Sequence, residues 1–146
     1  MEYYAKPNKT IEEHNQDLQC ARELLWKLGY IKSQEENKIV HEAIEHHDLG
    51  KKNEYFQRRV LSQKKKKFNP EMEVEHNFLS IYMINPKNYS KEEYESILYA
   101  VLFHHHYSDV VVTIDERKKD IARLLEGFSS YRLTMGIKIA NLHTLK

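Results

Sequence analysis

Apolar positions recur every three or four residues along most of the chain, which is the period of an amphipathic helix. The first run begins after Thr10, a helix-capping residue with Glu13 three positions on, and it stops at Gly29. The residues on its apolar face are Ile11, His14, Leu18, Ala21, Leu25 and Leu28. The spacing therefore predicts a first helix that buries these residues.

A second helix is predicted over about 34–49, and Gly50 ends it directly after Asp48 and Leu49. The stripe on its inner face consists of Val40, Ala43, Ile44 and His47. This arrangement places His47 and Asp48 together at the inner end of a helix.

Five further helices are predicted downstream, with bounds set by prolines, glycines and capping residues. They cover about 52–63, about 71–84, a stretch capped by Ser90, about 116–126 and about 129–142. The buried positions expected in the second and third of these are Met72, His76, Leu79, Met83, Ile97, Val101, His104 and His105. Only the segment VVVTI at 110–114 is expected as a short strand or an extended loop. The pattern as a whole predicts an all-α fold.

Composition narrows the class of protein further. Lysine and arginine total 23 against 22 acidic residues, which gives a formal net charge of +1. Such a balance provides no general attraction to nucleic acid or membranes, so any anion must bind locally. The single cysteine, Cys20, excludes an internal disulfide, and no apolar run is long enough for a signal peptide or a bilayer span. We therefore expect a cytoplasmic protein of one domain, residues 1–146, with no membrane partner.

Four of the predicted helices each carry a histidine on the apolar face. These histidines are His14, His47, His76 and the pair His104 and His105. A lone histidine among apolar residues is usually a core group that is hydrogen-bonded to a backbone carbonyl. Several buried imidazoles without partners would each cost about 1 to 3 kcal/mol, whereas one divalent cation would satisfy all of them. The repeated placement therefore predicts a metal centre.

Asp48 would add an oxygen ligand to this nitrogen-rich set. Mixed nitrogen and oxygen ligation suits manganese, iron, cobalt, nickel or zinc rather than calcium. In the triplet at 104–106, His104 and His106 lie about 200° apart on an ideal helix, so at most two of the three histidines can face one centre.

Several short motifs together resemble the HD-superfamily nuclease domain of the CRISPR type I interference helicase-nuclease. The motifs are HDLGK at 47–51, FQ at 56–57, EHNFLS at 75–80, AVLFHHH at 100–106 and an early helical histidine, His14. The resemblance covers nearly the whole chain. It implies a compact HD-domain helical bundle with a metal site in its centre.

The resemblance also implies a reaction, which is metal-dependent hydrolysis of phosphodiester bonds in single-stranded DNA. The implied cofactor is one or two divalent transition-metal ions, Mn, Ni, Co or Fe, with Mg or Zn as alternatives. The implied ligands are His14, His47, Asp48, His76, His104 and His105. The implied catalytic residues are Asp48, His47 and Lys51, and the implied substrate-binding residues are Lys51 and Gln57. The implied partners are single-stranded DNA, a CRISPR helicase domain or subunit that is absent from this chain, and the type I interference complex.

The chain departs from the family pattern near its end. The family places a further metal-binding aspartate in a late helix, and Asn141 occupies that position in GIKIANLHT. A neutral amide is a weaker ligand, so Asn141 is only a possible further ligand position, and the role could instead fall to Asp109, Asp115 or Asp120. Two alternatives to the nuclease stay open: an HD phosphohydrolase that acts on small nucleotides, and a catalytically impaired metal-binding or interaction module.

Overall fold

The computed structural model describes residues 2–64, 66–105 and 109–128, and this part of the chain is mainly helical. Its α-helices are α1 (Ile11–Lys27), α2 (Gln34–His47), α3 (Glu54–Val60), α4 (His76–Ser80), α5 (Lys91–Phe103), α6 (Val110–Glu116) and α7 (Lys118–Glu126). Short 3-10 helices occupy Leu49–Lys52, Ile81–Met83 and Pro86–Asn88. An all-α class is consistent with this content. None of the described helices is long and apolar enough to cross a membrane.

A small β-hairpin precedes the helices and was not predicted. Strand β1 (Tyr4–Lys6) pairs antiparallel with β2 (Lys9–Thr10), and Asn8 between them has a φ of 64°. The strands are too short to show the alternation of apolar and polar residues that marks a strand in sequence. Tertiary hydrogen bonds to the rest of the chain, described below for Gln57, hold the hairpin in place.

Helix α1 begins and ends as predicted, but its buried face differs from the predicted one. The Thr10 hydroxyl accepts a hydrogen bond from Glu13 N at 3.0 Å, and Gly29 follows the helix with a φ of 75°. Ile11 is buried, whereas Leu25 and Leu28 are 43% and 63% exposed. The expected burial of these two leucines is therefore wrong, as is that of Ala21, which is also exposed.

A polar contact between α1 and α2 explains the difference. Gln19 is buried and donates to His41 O at 3.2 Å and to a Glu45 carboxylate oxygen at 2.6 Å. Arg22 Nε donates to the side-chain amide oxygen of Gln19, Oε1, at 2.7 Å. These hydrogen bonds turn the polar positions of α1 toward α2, and the leucines consequently lie at the surface.

The main hydrophobic core lies in the second half of the chain. Ser90 caps α5 in a reciprocal capping box with Glu93, as the sequence predicts at this position. Ile97 and Val101 of α5 are buried, as predicted. The core cluster consists of Val74, Phe78, Leu79, Ile81, Met83, Ile84, Ile97, Leu98, Val101, Leu102, Val110, Ile114, Ile121, Leu124 and Phe128. Ile39 and Ala43 of α2 pack against this cluster, so α2 lies between the core and α1.

The helix predicted over about 71–84 is shorter in the structure. Asn69 O accepts hydrogen bonds from Met72 N and Glu73 N, and a Glu73 carboxylate oxygen accepts one from Asn69 N. This turn competes with helix formation, so α4 begins only at His76. Met72 is 39% exposed, which corrects its expected burial.

The segment 110–114 is helical rather than a strand or an extended loop. Val110 and Ile114 are both buried in the core, and their separation of four residues is one helical turn. Core packing at this spacing outweighs the preference of β-branched residues for extended backbone. Helix α7 lies within the predicted span of about 116–126. The helix predicted over 129–142 lies outside the described residues.

Candidate metal centre

Asp48 lies at the junction between α2 and the 3-10 turn Leu49–Lys52, and it is only 1% exposed. The close approach of this turn to α4 requires glycine at position 50. A Cβ atom there would lie 2.0 Å from His76 O and 2.9 Å from Leu79 Cβ. Gly50 therefore allows the backbone after Asp48 to touch the beginning of α4.

Ser80 joins the backbone segments around this junction. Its hydroxyl accepts a hydrogen bond from Gly50 N at 2.8 Å. The same hydroxyl lies 2.8 Å from His47 O and 2.9 Å from His76 O, either of which can accept its proton. One buried side chain thus fixes the end of α2, the 3-10 turn and α4 relative to one another.

The structure brings all six predicted ligands together. Nε2 of His14 and Nε2 of His47 lie 3.7 Å and 3.5 Å from Asp48 Oδ2, and Nε2 of His76 lies 3.1 Å from Asp48 Oδ1. Nε2 of His104 and Nε2 of His105 each lie 3.1 Å from Nε2 of His76. The six side chains form two groups that could hold a metal ion, His14–His47–Asp48 and His76–His104–His105.

Two of the rings are fixed in the tautomer that a metal ligand needs. Nδ1 of His47 lies 2.7 Å from Ile44 O, and Nδ1 of His104 lies 2.6 Å from Val101 O. A carbonyl oxygen can only accept, so both Nδ1 atoms carry the proton. In the neutral ring the lone pair is then on Nε2, the atom that faces the cluster, and a backbone carbonyl behind the ring is a common arrangement in metal sites.

Polar atoms in the cluster are incompletely satisfied within the described part of the chain. Asp48 Oδ1 is buried there without a hydrogen-bond donor, because the 3.1 Å contact with His76 Nε2 lacks hydrogen-bond direction. Nε2 of His76 also meets the nitrogens of His104 and His105, and one ring nitrogen can donate at most one proton. An orphaned carboxylate oxygen among converging imidazole nitrogens fits a divalent cation.

Burial sets the protonation states of these groups. Burial lowers the pKa of His76 to about 4 and also lowers the pKa values of His14, His47 and His104 below 6.5. The same burial would raise the pKa of Asp48, but the adjacent His76 and the charges of His47 and Lys51 hold that pKa below its ordinary value. Near neutral pH the site therefore combines a carboxylate with neutral imidazoles, which is the ligating state of both.

Lys51 is the counter-ion of Asp48. Its Nζ lies 2.7 Å from Asp48 Oδ2, and its side chain is 13% exposed. The ammonium group also lies 5.6 Å from the centre of the Phe56 ring. This geometry shows Lys51 orienting the Asp48 carboxylate, while its predicted contact with substrate remains a prediction.

Gln57 contacts backbone groups at both ends of its amide. Its carbonyl oxygen accepts from Tyr4 N at 2.9 Å, and its Nε2 donates to Tyr4 O at 2.9 Å and to Lys51 O at 2.8 Å. The structure therefore gives Gln57 a positioning role, which is to hold strand β1 against the turn that carries Lys51, while its predicted contact with substrate stays a prediction.

Asn53 supports the same turn, and the sequence analysis missed it. The side chain donates to Gly50 O at 2.7 Å and accepts from Phe56 N at 2.9 Å, which caps α3. An asparagine directly before a helical segment is a recognisable capping signal and could have been found.

The remaining predicted positions lie outside this cluster or outside the described residues. Asn141 and His106 are not among the described residues. Neither histidine-containing group includes Asp109, Asp115 or Asp120. Asp120 instead pairs with Arg117 at 3.0 Å and with Arg123 at 3.4 Å.

No protein-family model, curated protein or solved structure matches this chain. The fold and the site by themselves define a class, which is a mainly helical protein with histidine and aspartate groups that could hold a metal ion.

Proposed function

We propose that the chain is an HD-type nuclease domain that hydrolyses phosphodiester bonds of single-stranded DNA with the help of divalent metal. One observation carries the proposal: three imidazoles from separate helices lie within 3.7 Å of the buried Asp48 carboxylate, and two more, from adjacent residues, meet the third of these rings. One oxygen of this carboxylate has no hydrogen-bond donor among the described residues. The mainly helical content supports the proposal, because the HD resemblance implies an all-α fold.

The donor set supports one or two ions. Asp48 Oδ2 lies on the side of His14 and His47, and Oδ1 lies beside His76 of the other group. The carboxylate is thus positioned to be shared between the two groups. Five nitrogen donors with one carboxylate suit Mn, Ni, Co or Fe, with Zn or Mg as alternatives.

In this proposal a metal ion would activate water, and side chains of the protein would orient the ligands. A divalent ion held by these residues would lower the pKa of its bound water toward about 7 and would offset charge on a phosphate oxygen. The backbone carbonyls of Ile44 and Val101 orient the rings of His47 and His104. His76, His47 and Lys51 together hold the pKa of Asp48 below its ordinary value. The Lys51 ammonium, 2.7 Å from Asp48 Oδ2, also favours an anionic phosphate at this place.

Sequence motifs are the basis for proposing single-stranded DNA as the substrate and CRISPR proteins as the partners. The combination of HDLGK with FQ, EHNFLS and the paired histidines resembles the CRISPR branch of the superfamily. We infer that a helicase domain or subunit supplies the unwound strand. We also infer that the type I interference complex recruits the helicase together with this nuclease domain. An HD phosphohydrolase for small nucleotides would use the same ligands, so the substrate must be tested directly.

The test combines elemental analysis with cleavage of circular single-stranded DNA in Mn²⁺, Ni²⁺, Co²⁺ or Mg²⁺. We expect bound transition metal and cleavage, and we expect Asp48→Asn to abolish both because an amide replaces the anionic ligand. The matched control is Asp120→Asn, which removes a surface carboxylate outside the cluster.

Two other outcomes would each assign a different function, and a third would refute the proposal. Hydrolysis confined to nucleoside triphosphates or cyclic nucleotides would identify a nucleotide phosphohydrolase. Metal binding without any cleavage, followed by activity in Asn141→Asp, would identify an impaired enzyme. The absence of bound metal in all four metal solutions would refute the proposal.

A further inference from the structure

A cationic groove of about 410 Å³ lies beside α3, outside the metal centre. The cations that line it are Arg58, Arg59, Lys66 and Lys67. Glu73 is the one acidic residue among the described residues that line it. One Glu73 oxygen pairs with Arg59 Nε at 3.0 Å, and the other accepts a hydrogen bond from Asn69 N. Both Glu73 oxygens are thus engaged, while the groove retains an excess of positive charge.

A row of ring and cation contacts connects this groove to the metal centre. The centre of the Phe56 ring lies 6.1 Å from that of His76. On the groove side, the Arg59 guanidinium lies 4.9 Å from the Phe56 ring centre and 5.8 Å from that of Phe68. The groove therefore begins two contacts away from a predicted metal ligand.

The charge of this groove is local rather than a property of the whole chain. The formal net charge is only +1, yet four cations line one groove next to the proposed reaction centre. Arg58 pairs with Glu54 and Arg59 pairs with Glu73, each at 3.0 Å, so the exposed Lys66 and Lys67 carry the excess charge of the groove. A mononucleotide bound at the metal centre would supply no phosphates to these two lysines. A polynucleotide carries a phosphate on every residue, and aromatic faces beside cationic groups are the usual means of holding a single strand without reading its sequence.

We propose that this groove binds the phosphodiester backbone of the strand that flanks the scissile phosphate. The inference rests on the proposed nuclease function and extends it, because it makes binding dependent on chain length and on salt. Lys66 and Lys67 are exposed and supply charge to the flanking phosphates. Arg59 is held by Glu73 and marks the inner end of the groove.

The test measures binding of a fluorescent oligothymidylate of about 20 nucleotides to the full chain in EDTA, by anisotropy over a series of salt concentrations. In Lys66→Ala/Lys67→Ala we expect the affinity at low salt to fall about tenfold. The slope of log affinity against log salt should shrink by about 1.4, because two phosphate contacts are lost. The matched control is Lys87→Ala/Lys91→Ala, which removes two exposed charges that do not line the groove and should bind as the wild type does. Circular dichroism melting of all three proteins checks that they are folded.

Equal binding by the wild type and the groove variant would overturn the inference, as would an equal loss in the control or no binding by the wild type. Parallel cleavage assays with Mn²⁺ distinguish this failure from failure of the proposed function. If the wild type cleaves the strand and the groove variant cleaves it with the same KM, the groove proposal is refuted and the nuclease proposal stands. A wild type that binds through the groove but cleaves nothing would refute the nuclease and leave the groove in place.

Discussion

Single residues determine the geometry around Asp48. A carboxylate that is 1% exposed is stable only with close partners, and Lys51 supplies a positive charge 2.7 Å away. Gly50 and Ser80 support the position of Asp48. Gly50 lets the backbone after Asp48 touch the backbone of His76, and the Ser80 hydroxyl accepts a hydrogen bond from the Gly50 N–H in that contact. A substitution at either position is therefore expected to act on the metal centre through the backbone.

Gly50→Ala is expected to lower the free energy of unfolding by about 1 to 3 kcal/mol, because the added Cβ overlaps His76 O. The same shift of His76 should weaken metal affinity, which isothermal titration with Mn²⁺ measures alongside urea denaturation. Gly127→Ala is the matched control, because a Cβ there would approach the Leu124 carbonyl no closer than 3.3 Å. Equal stability and metal affinity in Gly50→Ala and the wild type would show that the two backbones do not touch.

At the scale of secondary-structure elements, helix α1 shows the difference between an apolar pattern and a buried face. Its sequence carries a run of correctly spaced leucines, yet the residues that face α2 include Gln19 and Arg22. Hydrogen bonds between the two helices determine this orientation. The orientation also brings His14 of α1 to the cluster, 3.7 Å from Asp48.

The orientation of α1 predicts an unusual ranking of two substitutions. Gln19→Ala should destabilise the protein by about 1 to 3 kcal/mol, because it leaves partly buried partners on α2, one of them the Glu45 carboxylate, without their hydrogen bonds. Leu25→Ala should change the free energy of unfolding by about 0.5 kcal/mol or less, because Leu25 is 43% exposed. Urea denaturation of both variants measures the difference. The opposite ranking would favour the apolar face predicted from the sequence.

At the scale of the whole molecule, the cluster links stability to pH. Four histidines of the cluster, His14, His47, His76 and His104, have pKa values below 6.5 in the folded chain, so the unfolded chain binds more protons than the folded chain at mildly acidic pH. Their stabilising contribution is complete above about pH 6.5 and declines as the pH falls toward about 4. The contribution of Asp48 is present above pH 3.8 and is lost only in stronger acid, because its folded pKa is lower than that value.

Acidification of the metal-free protein from about pH 7.5 to about pH 4 should therefore reduce its free energy of unfolding. The fall of the His76 pKa from 6.5 to about 4 accounts for about 3 kcal/mol of this loss. Urea denaturation across the range measures the slope. His76→Asn should flatten the dependence, whereas His41→Asn, outside both metal-binding groups, should leave it unchanged. An identical pH dependence in His76→Asn would contradict this account.

Local sequence signals predicted some helices correctly and failed for others. Capping residues such as Thr10 and Ser90 marked helix starts correctly, because a cap depends on neighbours three residues away. The helix at 110–116 was missed, because its β-branched residues favour extended backbone. Its helical conformation depends on the core contacts of Val110 and Ile114, which the sequence does not show. The late start of α4 depends on a side-chain turn between Asn69 and Glu73, which competes with the helical pattern.

The chemistry of the side chains was determined by the sequence alone, because imidazole and carboxylate groups are ligand types wherever they lie. The sequence therefore named the six residues of the cluster, His14, His47, Asp48, His76, His104 and His105. Only the tertiary structure decided that these side chains meet, that one oxygen of Asp48 has no donor among the described residues, and that Gln57 binds backbone. The physical reason is that these contacts join residues far apart in the chain, whose distances depend on helix packing rather than on any local repeat.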